Sequence, residues 1–527
     1  MPDSSPRPEK SLGWHLLHGS FWMIAARWAI RFSGAVSTVI LARLLTPSDF
    51  GIVAMAMILV GMLEVINQTG QKLVIIRHPN PARADYDTCW TISILLGLTI
   101  AALIIAIAPL SERYFHDARV LPVMQCLALR SALGGFENVG VLDFRRDLTF
   151  DRLFRYTLYP KLITFFITIF LALALRSYWA LVSGMISTVV VTNVLSYTMH
   201  RYRPSFSLEK LPEVWSFSFW TLVRAIGWYL NFQVDLFAIG GVAGAAAMGR
   251  YSVASDVAAA PSRELNDPLV ATLYPVMSKV QHDYPRLKEL YLQVLCWSAI
   301  ICASTSVGIA LVARDTITIF LGPKWLSLAP LVPWLALSTG MLGLASGAYS
   351  VFDSIGVPQI GARMQWLRVT ILAVAIAPVV LLTRNLEWLA AIRLAATLLF
   401  MPTLFFAVGR AIGVSPWEYF RVFWRPFSAT AVMTAVVLMI NLIGLGSPIA
   451  RLPIDAAAGA IAFVVSVYLL WHLSGRPESA ESDVLVYLDI DVPSGIRRIK
   501  NTFLGVGATE AKKSGPAEPR ATRGRAR

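Results

Sequence analysis

Arg27, Arg31, Arg224 and Arg263 stand inside stretches otherwise apolar enough to cross a bilayer. A guanidinium at the centre of a membrane helix costs roughly 2.5–3.5 kcal/mol on insertion scales, so four facing lipid would cost about 10 kcal/mol together. They are tolerable only where they face protein or a wet cavity. A cavity lined by guanidinium groups suits an anion, phosphate above all, because the planar fork of N–H donors matches pairs of phosphate oxygens. Arg27 and Arg31 are four apart and share one helix face, while Arg224 and Arg263 fall at compatible depths in two later helices. These four are the candidate substrate-binding residues.

Carboxylates accompany them. Asp256, Arg263 and Asp267 follow one another at i, i+7 and i+11, a single helical stripe with Glu264 beside it. Pro261 and Pro268 each remove a backbone donor and predict a kink or unwinding in the same helix. Ions on a broken helix near mid-membrane are where transporters bind substrate or a coupling cation. Asp235, eleven residues after Arg224, either holds a proton or sodium ion or pairs with an arginine from another helix. Asp235, Asp256 and Asp267 are thus the candidate ion-coupling residues. The competing reading makes every one of these charges a local ion pair that serves packing. Arg130 and Arg393 are further arginines within spans, and Glu64, Glu137, Lys161 and Asp353 sit nearer helix ends.

No catalytic constellation accompanies these groups. GxxxxGK[ST], HExxH and GxSxG are absent, and the 7 histidines are scattered. Cys89, Cys126, Cys296 and Cys302 show no CxxC spacing and read as buried apolar residues rather than disulfide or metal ligands. Neither a catalytic residue nor a cofactor is expected, apart from H+ or Na+ as a coupling ion.

The chain that carries these residues has 527 residues, 56% hydrophobic and only 15% charged. Apolar stretches of about 20 residues recur along it, the mark of an all-α polytopic membrane protein. The expected spans are 19–45, 51–69, 88–109, 119–139, 156–175, 177–199, 216–242, 250–276, 289–312, 328–354, 362–383, 386–410, 424–446 and 452–473. That makes about 14 transmembrane helices joined by short loops. The excess of 46 Lys+Arg over 32 Asp+Glu lies mostly in those loops, so it signals orientation rather than nucleic acid. Twenty loop Lys and Arg on the side of the N-terminus, Arg363 and Arg368 counted among them, against nine on the other favour both termini in the cytoplasm.

Ser20-Phe21-Trp22 and Gly51 recur as Ser218-Phe219-Trp220 and Gly249, every pair 198 residues apart. Six-helix repeats with a substrate site between them are a common transporter plan. The expected organisation is two six-helix lobes, 1–205 and 206–412, around a central cavity, two extra C-terminal helices in 413–474, and a cytoplasmic tail, 475–527, largely disordered by composition. Thr46-Pro47-Ser48-Asp49 reads as a helix start, with Thr as N-cap and Pro at the first helical position.

Ala42-Arg43-Leu44-Leu45-Thr46-Pro47-Ser48-Asp49-Phe50-Gly51 resembles the opening motif of the polysaccharide transport family, in the multidrug/oligosaccharidyl-lipid/polysaccharide exporter superfamily. The likeness continues at 144–150, Asp235, 249–254, 273–278 and Leu321-Gly322-Pro323-Lys324-Trp325 with Pro330, and spans about 15–470. The resemblance implies a Wzx-type inner-membrane flippase working by alternating access. Its cargo would be an undecaprenyl-pyrophosphate-linked oligosaccharide for exopolysaccharide, capsule or O-antigen assembly, with membrane lipid as surroundings. A polysaccharide polymerase and chain-length or export proteins would be its partners. It also implies a cationic cavity lined from helices 1 and 8, which fits Arg27, Arg31 and Arg263. Some relatives bind sodium through a helix 7 aspartate with polar groups of helices 11 and 12; Asp235 matches the first, but 362–383 contains no acid. A cation-coupled drug exporter of the same superfamily and a membrane glycan polymerase or ligase are the alternative readings.

Overall fold

The computed structural model of the protein describes residues 12–68, 75, 81–147, 149–211, 219–383, 385–443 and 447–475, with backbone alone for 12–27, 67, 68, 150 and 219–224. The C-terminal tail, the Ser20-Phe21-Trp22 repeat side chains and Ser218 lie outside what is described. The principal helices are α1 (Leu12–Leu44), α2 (Pro47–Glu64), α3 (Arg83–Phe115), α4 (Val120–Gly134), α5 (Phe150–Leu175) and α6 (Trp179–Met199). They continue with α7 (Phe219–Lys279), α8 (Tyr284–Leu311), α9 (Leu331–Ser354), α10 (Pro358–Leu382), α11 (Leu386–Ile412), α12 (Pro416–Leu442) and α13 (Pro448–Leu473). No strand occurs among the described residues.

Eleven helices among the described residues are long and apolar enough to cross a membrane. This differs from the expected count of fourteen for physical reasons. The side chains of the first half of α1 are not described, α4 is only 15 residues long, and two expected spans are merged in α7. The rim of the bundle is apolar outward as well as inward: Leu442 is 87% exposed, Leu382 82% and Leu473 81%. A soluble protein would not present such a belt; lipid removes its cost.

α7 holds the main departure from expectation. Its only non-helical backbone is at Gly244, with φ 77 and ψ 175, a conformation that glycine adopts without steric cost. Pro261, Pro268 and Pro275 all lie within helical backbone, so the predicted unwinding at Pro261 and Pro268 is replaced by a break at Gly244. Each proline still removes a donor, which leaves the Val257, Glu264 and Ala271 carbonyls without their helical partners.

Except for α2, helices α1–α6 pack chiefly among themselves, as do α8–α13 with α7, and α12 and α13 attach to the second group chiefly through α8. The main crossing contact joins α2 to α7. There the chain repeat becomes spatial. A Cβ on Gly51 would run into the Ala245 carbonyl oxygen, and a Cβ on Gly249 into the Pro47 carbonyl oxygen. Residues 47 and 245 are themselves 198 apart, so the two contacts are copies of each other about a local two-fold relation. Backbone meets backbone only because both positions lack a side chain.

The same face of the bundle is latched further. Thr46 caps α2 in a capping box with Asp49, as its sequence predicts, and the second Asp49 oxygen accepts the Tyr178 N–H at 3.1 Å. Arg43 Nε donates to the Phe320 carbonyl at 3.0 Å, Lys324 Nζ to the Arg43 carbonyl at 2.9 Å, and Trp325 Nε1 to the Ala42 carbonyl at 2.8 Å. The Phe50 and Trp325 rings meet edge to face at 5.4 Å. This face, carrying the α1–α2 turn, is closed.

At the opposite face, residues 200–210 are strapped along the start of α3. Ser205 donates through N and Oγ to Asp87 at 2.9 and 2.8 Å, Ser207 N donates to Thr91 at 3.0 Å, and Tyr202 donates to Asp87. Next to it Asp143 gathers Tyr86 at 2.5 Å, Arg146 at 2.9 Å and His200 at 3.3 Å. Burial pushes the Asp143 carboxyl up, but hydrogen bonds from His200 and Tyr86 and the charge of Arg146 outweigh it and hold it below the usual carboxylate range.

Two outcomes test this architecture. Gly51→Ala and Gly249→Ala should each lower unfolding stability by about 1–3 kcal/mol through overpacking, read from thermal melts in nanodiscs; unchanged melting of both would refute the close crossing. The Asp143 contribution is present above an unfolded carboxyl value of about 4 and disappears as pH falls through the lower folded value. Asp143→Asn should therefore flatten the acid limb of the stability profile.

Candidate functional site

Of the described candidate charges, Arg263, Asp256 and Asp267 lie on the part of α7 that follows Gly244, and Arg31 of α1 reaches the same stretch through Glu264. Arg31 Nη1 meets Glu264 Oε1 at 2.5 Å, with the Arg31 side chain 56% exposed and that of Glu264 30%. Two residues on, and so round on the other side of α7, Asn266 is buried and donates to the Gly343 carbonyl at 3.2 Å. Arg263 lies over the Phe232 ring at 4.8 Å, a cation–π contact that fixes the guanidinium across the Gly244 break. Asp256 and Asp267 are exposed and within electrostatic reach of Arg263. The predicted stripe of Asp256, Arg263 and Asp267 therefore stands together, and Glu264 turns from it to meet Arg31.

Arg27 lies in α1 and Arg224 in α7, but their side chains are outside the described residues. Asp235 is elsewhere. It is fully buried, takes an ion pair from Arg393 of α11, and accepts a hydrogen bond from Tyr251 at 2.8 Å. Of the two sequence readings of Asp235, this geometry is the pairing one: a guanidinium stands against the carboxylate where an exchangeable cation would have to bind. Asp235 shares no direct contact with Arg31 or Glu264 among the described residues.

Arg368 was missed. Counted as a loop residue on the side of the N-terminus, it lies inside α10, 4% exposed, and donates to Asn231 Oδ1 at 2.7 Å. Its flanks, Trp366-Leu367 before and Val369 after, carry the apolar signal that placed it within 362–383, which outweighs its charge. Other span charges pair across helices: Arg130 of α4 with Glu64 of α2 at 3.0 Å, and Arg451 of α13 with Asp315.

A model described as "Polysaccharide biosynthesis protein" matches residues 40–330. The chain belongs to that family. Among curated relatives, it is 24% identical over 361 residues to "Succinoglycan biosynthesis transport protein ExoT" of Rhizobium meliloti (strain 1021), 68% of this chain and 70% of that one. It is 21% identical over 469 residues to "Teichuronic acid biosynthesis protein TuaB" of Bacillus subtilis (strain 168), 85% of this chain and 94% of that one. Among solved structures, "Lipid II flippase MurJ, inward closed conformation" superposes with a TM-score of 0.67 at 12% identity, covering 87% of this chain and all of that one. That last likeness is one of fold.

The buried Asp235–Arg393 pair of this polysaccharide biosynthesis protein makes a sharp prediction. Arg393→Ala strands a buried carboxylate and should cost about 3–5 kcal/mol, whereas Arg393→Met combined with Asp235→Asn should recover most of the loss. Denaturation of the purified variants measures both, and a double variant as unstable as Arg393→Ala would refute the pairing.

Proposed function

We propose that this chain flips undecaprenyl-pyrophosphate-linked oligosaccharide repeat units across the inner membrane for exopolysaccharide, capsule or O-antigen synthesis. Family membership supplies the pathway, and the exposed Arg31–Glu264 pair with Arg263 beside it is the observation that carries the mechanism. A carboxylate holds one guanidinium face in the absence of cargo. A pyrophosphate offers more charge and more acceptor oxygens, so it displaces Glu264 from Arg31 and draws Arg263, with Arg27 and Arg224 completing the cationic lining. Asp256 and Asp267 keep the unloaded site from an unbalanced field, and the glycan passes through wet space while the prenyl chain stays in lipid.

Residues 1–205 and 206–412 rock against each other as two lobes, and 413–474 travels with the second. The face closed by Arg43, Lys324 and Trp325 is the periplasmic one in this reading, and both termini are cytoplasmic. Opening it exchanges the five carbonyl-directed bonds of the latch, two from Arg43 to Phe320 and Ile319, two from Lys324 to Arg43 and Leu45 and one from Trp325 to Ala42, for water, each a net change of only about 1 kcal/mol. The work is transport, with no bond made or broken. Ion coupling through Asp256 or Asp267 accompanies it as H+ or Na+ exchange. A drug exporter of the same superfamily would need acids facing an organic cation; the guanidinium surplus disfavours it.

Arg31→Gln, Arg263→Gln and Arg27→Gln should each reduce surface polymer at least tenfold while the protein stays folded and abundant, and should weaken binding of undecaprenyl pyrophosphate in nanodiscs by about 1.5–3 kcal/mol. Normal export from all three variants would refute the cavity role. Unchanged drug susceptibility of a deletion strain is expected alongside.

A further inference from the structure

The second half of the bundle holds another concentration of guanidinium groups, away from Arg31 and Glu264. Asn231 and Asp235 lie one turn apart on α7, Tyr251 follows the Gly244 break, Arg368 comes from α10 and Arg393 from α11. Asn231 is 1% exposed, Asp235 and Tyr251 0%, and both arginines 4%. The charges do not balance. Arg393 and Tyr251 both address Asp235 Oδ2, which leaves Arg368 with the neutral oxygen of Asn231 at 2.7 Å. The charged and ionisable groups acting on Arg368 are Arg393, Tyr349 and Asp235, so two guanidiniums share one carboxylate.

The unpaired atoms point the same way. Arg368 Nε and Nη2, Arg393 Nε and Asn231 Nδ2 have no hydrogen-bond partner among the described residues, against a single acceptor, Asp235 Oδ1. Four buried donors and one surplus positive charge repel a cation and ask for an anion. The Asn231 amide touches the Arg368 guanidinium directly, and Val369 and Leu372 beside it are buried, so the place suits a one-atom ligand rather than a phosphate.

We propose that Asn231, Arg368 and Arg393 form a binding site for a small monovalent anion, chloride in the cell, that neutralises the interior of the second half and ties α7 to α10 and α11. The site uses none of the residues assigned to cargo, but Arg393 lies within electrostatic reach of Arg263, so Arg31→Gln and not Arg263→Gln is the control that separates the two sites. Chloride bound there is a structural counter-ion.

The experiment is thermal melting of the full chain in nanodiscs of neutral lipid, titrating sodium chloride against sodium gluconate at constant sodium and ionic strength. The wild type should show a saturable rise in melting temperature with chloride. Asn231→Asp builds a fixed carboxylate beside Arg368, so it should melt above the wild type in gluconate and lose the chloride response. Arg368→Gln should lose the response as well, and Arg31→Gln should keep it. No chloride-dependent shift in the wild type overturns the site. So does a full response in Asn231→Asp, or a response lost in Arg31→Gln, which would place the anion at the cargo site.

Discussion

A charge between apolar helices needs a polar partner, and several in this chain find an opposite charge on a distant element. Arg393 reaches Asp235 across 158 residues, Arg451 reaches Asp315 across 136, and Arg130 reaches Glu64 across 66. Each pair fixes the rotation of two helices that hydrophobic contact alone would leave loosely specified, because lipid and leucine are equally apolar. Arg31 and Glu264 obey the same rule with one difference: the Arg31 guanidinium is more than half exposed. Asp235–Arg393 is sealed from water and Arg130–Glu64 and Arg451–Asp315 are only partly open, so Arg31 is the guanidinium among the four pairs that a competing anion reaches most readily.

The residues that carry the family likeness are also mechanically connected. Ala42–Gly51 and Leu321–Trp325 are nearly 280 residues apart in sequence, yet they form one latch: Arg43 and Ala42 meet Phe320 and Trp325, and Lys324 meets Arg43. In this structure they join the α1–α2 turn to the segment before α9. The small residues within them serve close approach and a capped turn, and the large ones seal it.

Much of this was legible in the sequence, and what was not has identifiable causes. Apolar runs located the helices, with ends off by up to eight residues, as at Pro416 against an expected 424, and the Thr46–Asp49 cap stands as expected. Prolines misled, because a proline removes a hydrogen bond without forcing helical dihedrals to change, whereas Gly244 changes them with no conspicuous signature among its alanine neighbours. The Asp256–Arg263–Asp267 stripe was readable since it needs only helical periodicity. The Arg31–Glu264 and Asp235–Arg393 pairs were not, since nothing in a single sequence says which distant helices are neighbours. Arg368 was lost to the loop count because its charge drew it toward the aqueous side on paper.

The reciprocal crossing of Gly51 with Ala245 and of Gly249 with Pro47 carries a consequence for how such a chain can change over generations. At the other contacts between the halves, such as Arg31 with Glu264, a side chain carries the link and can be exchanged for another. At the crossing, every atom added to one half must be absorbed by the other half's copy of the same turn, leaving no slack on either side. Divergence should stall there first, and the seam between the halves would stay the most ancestral spot in the molecule.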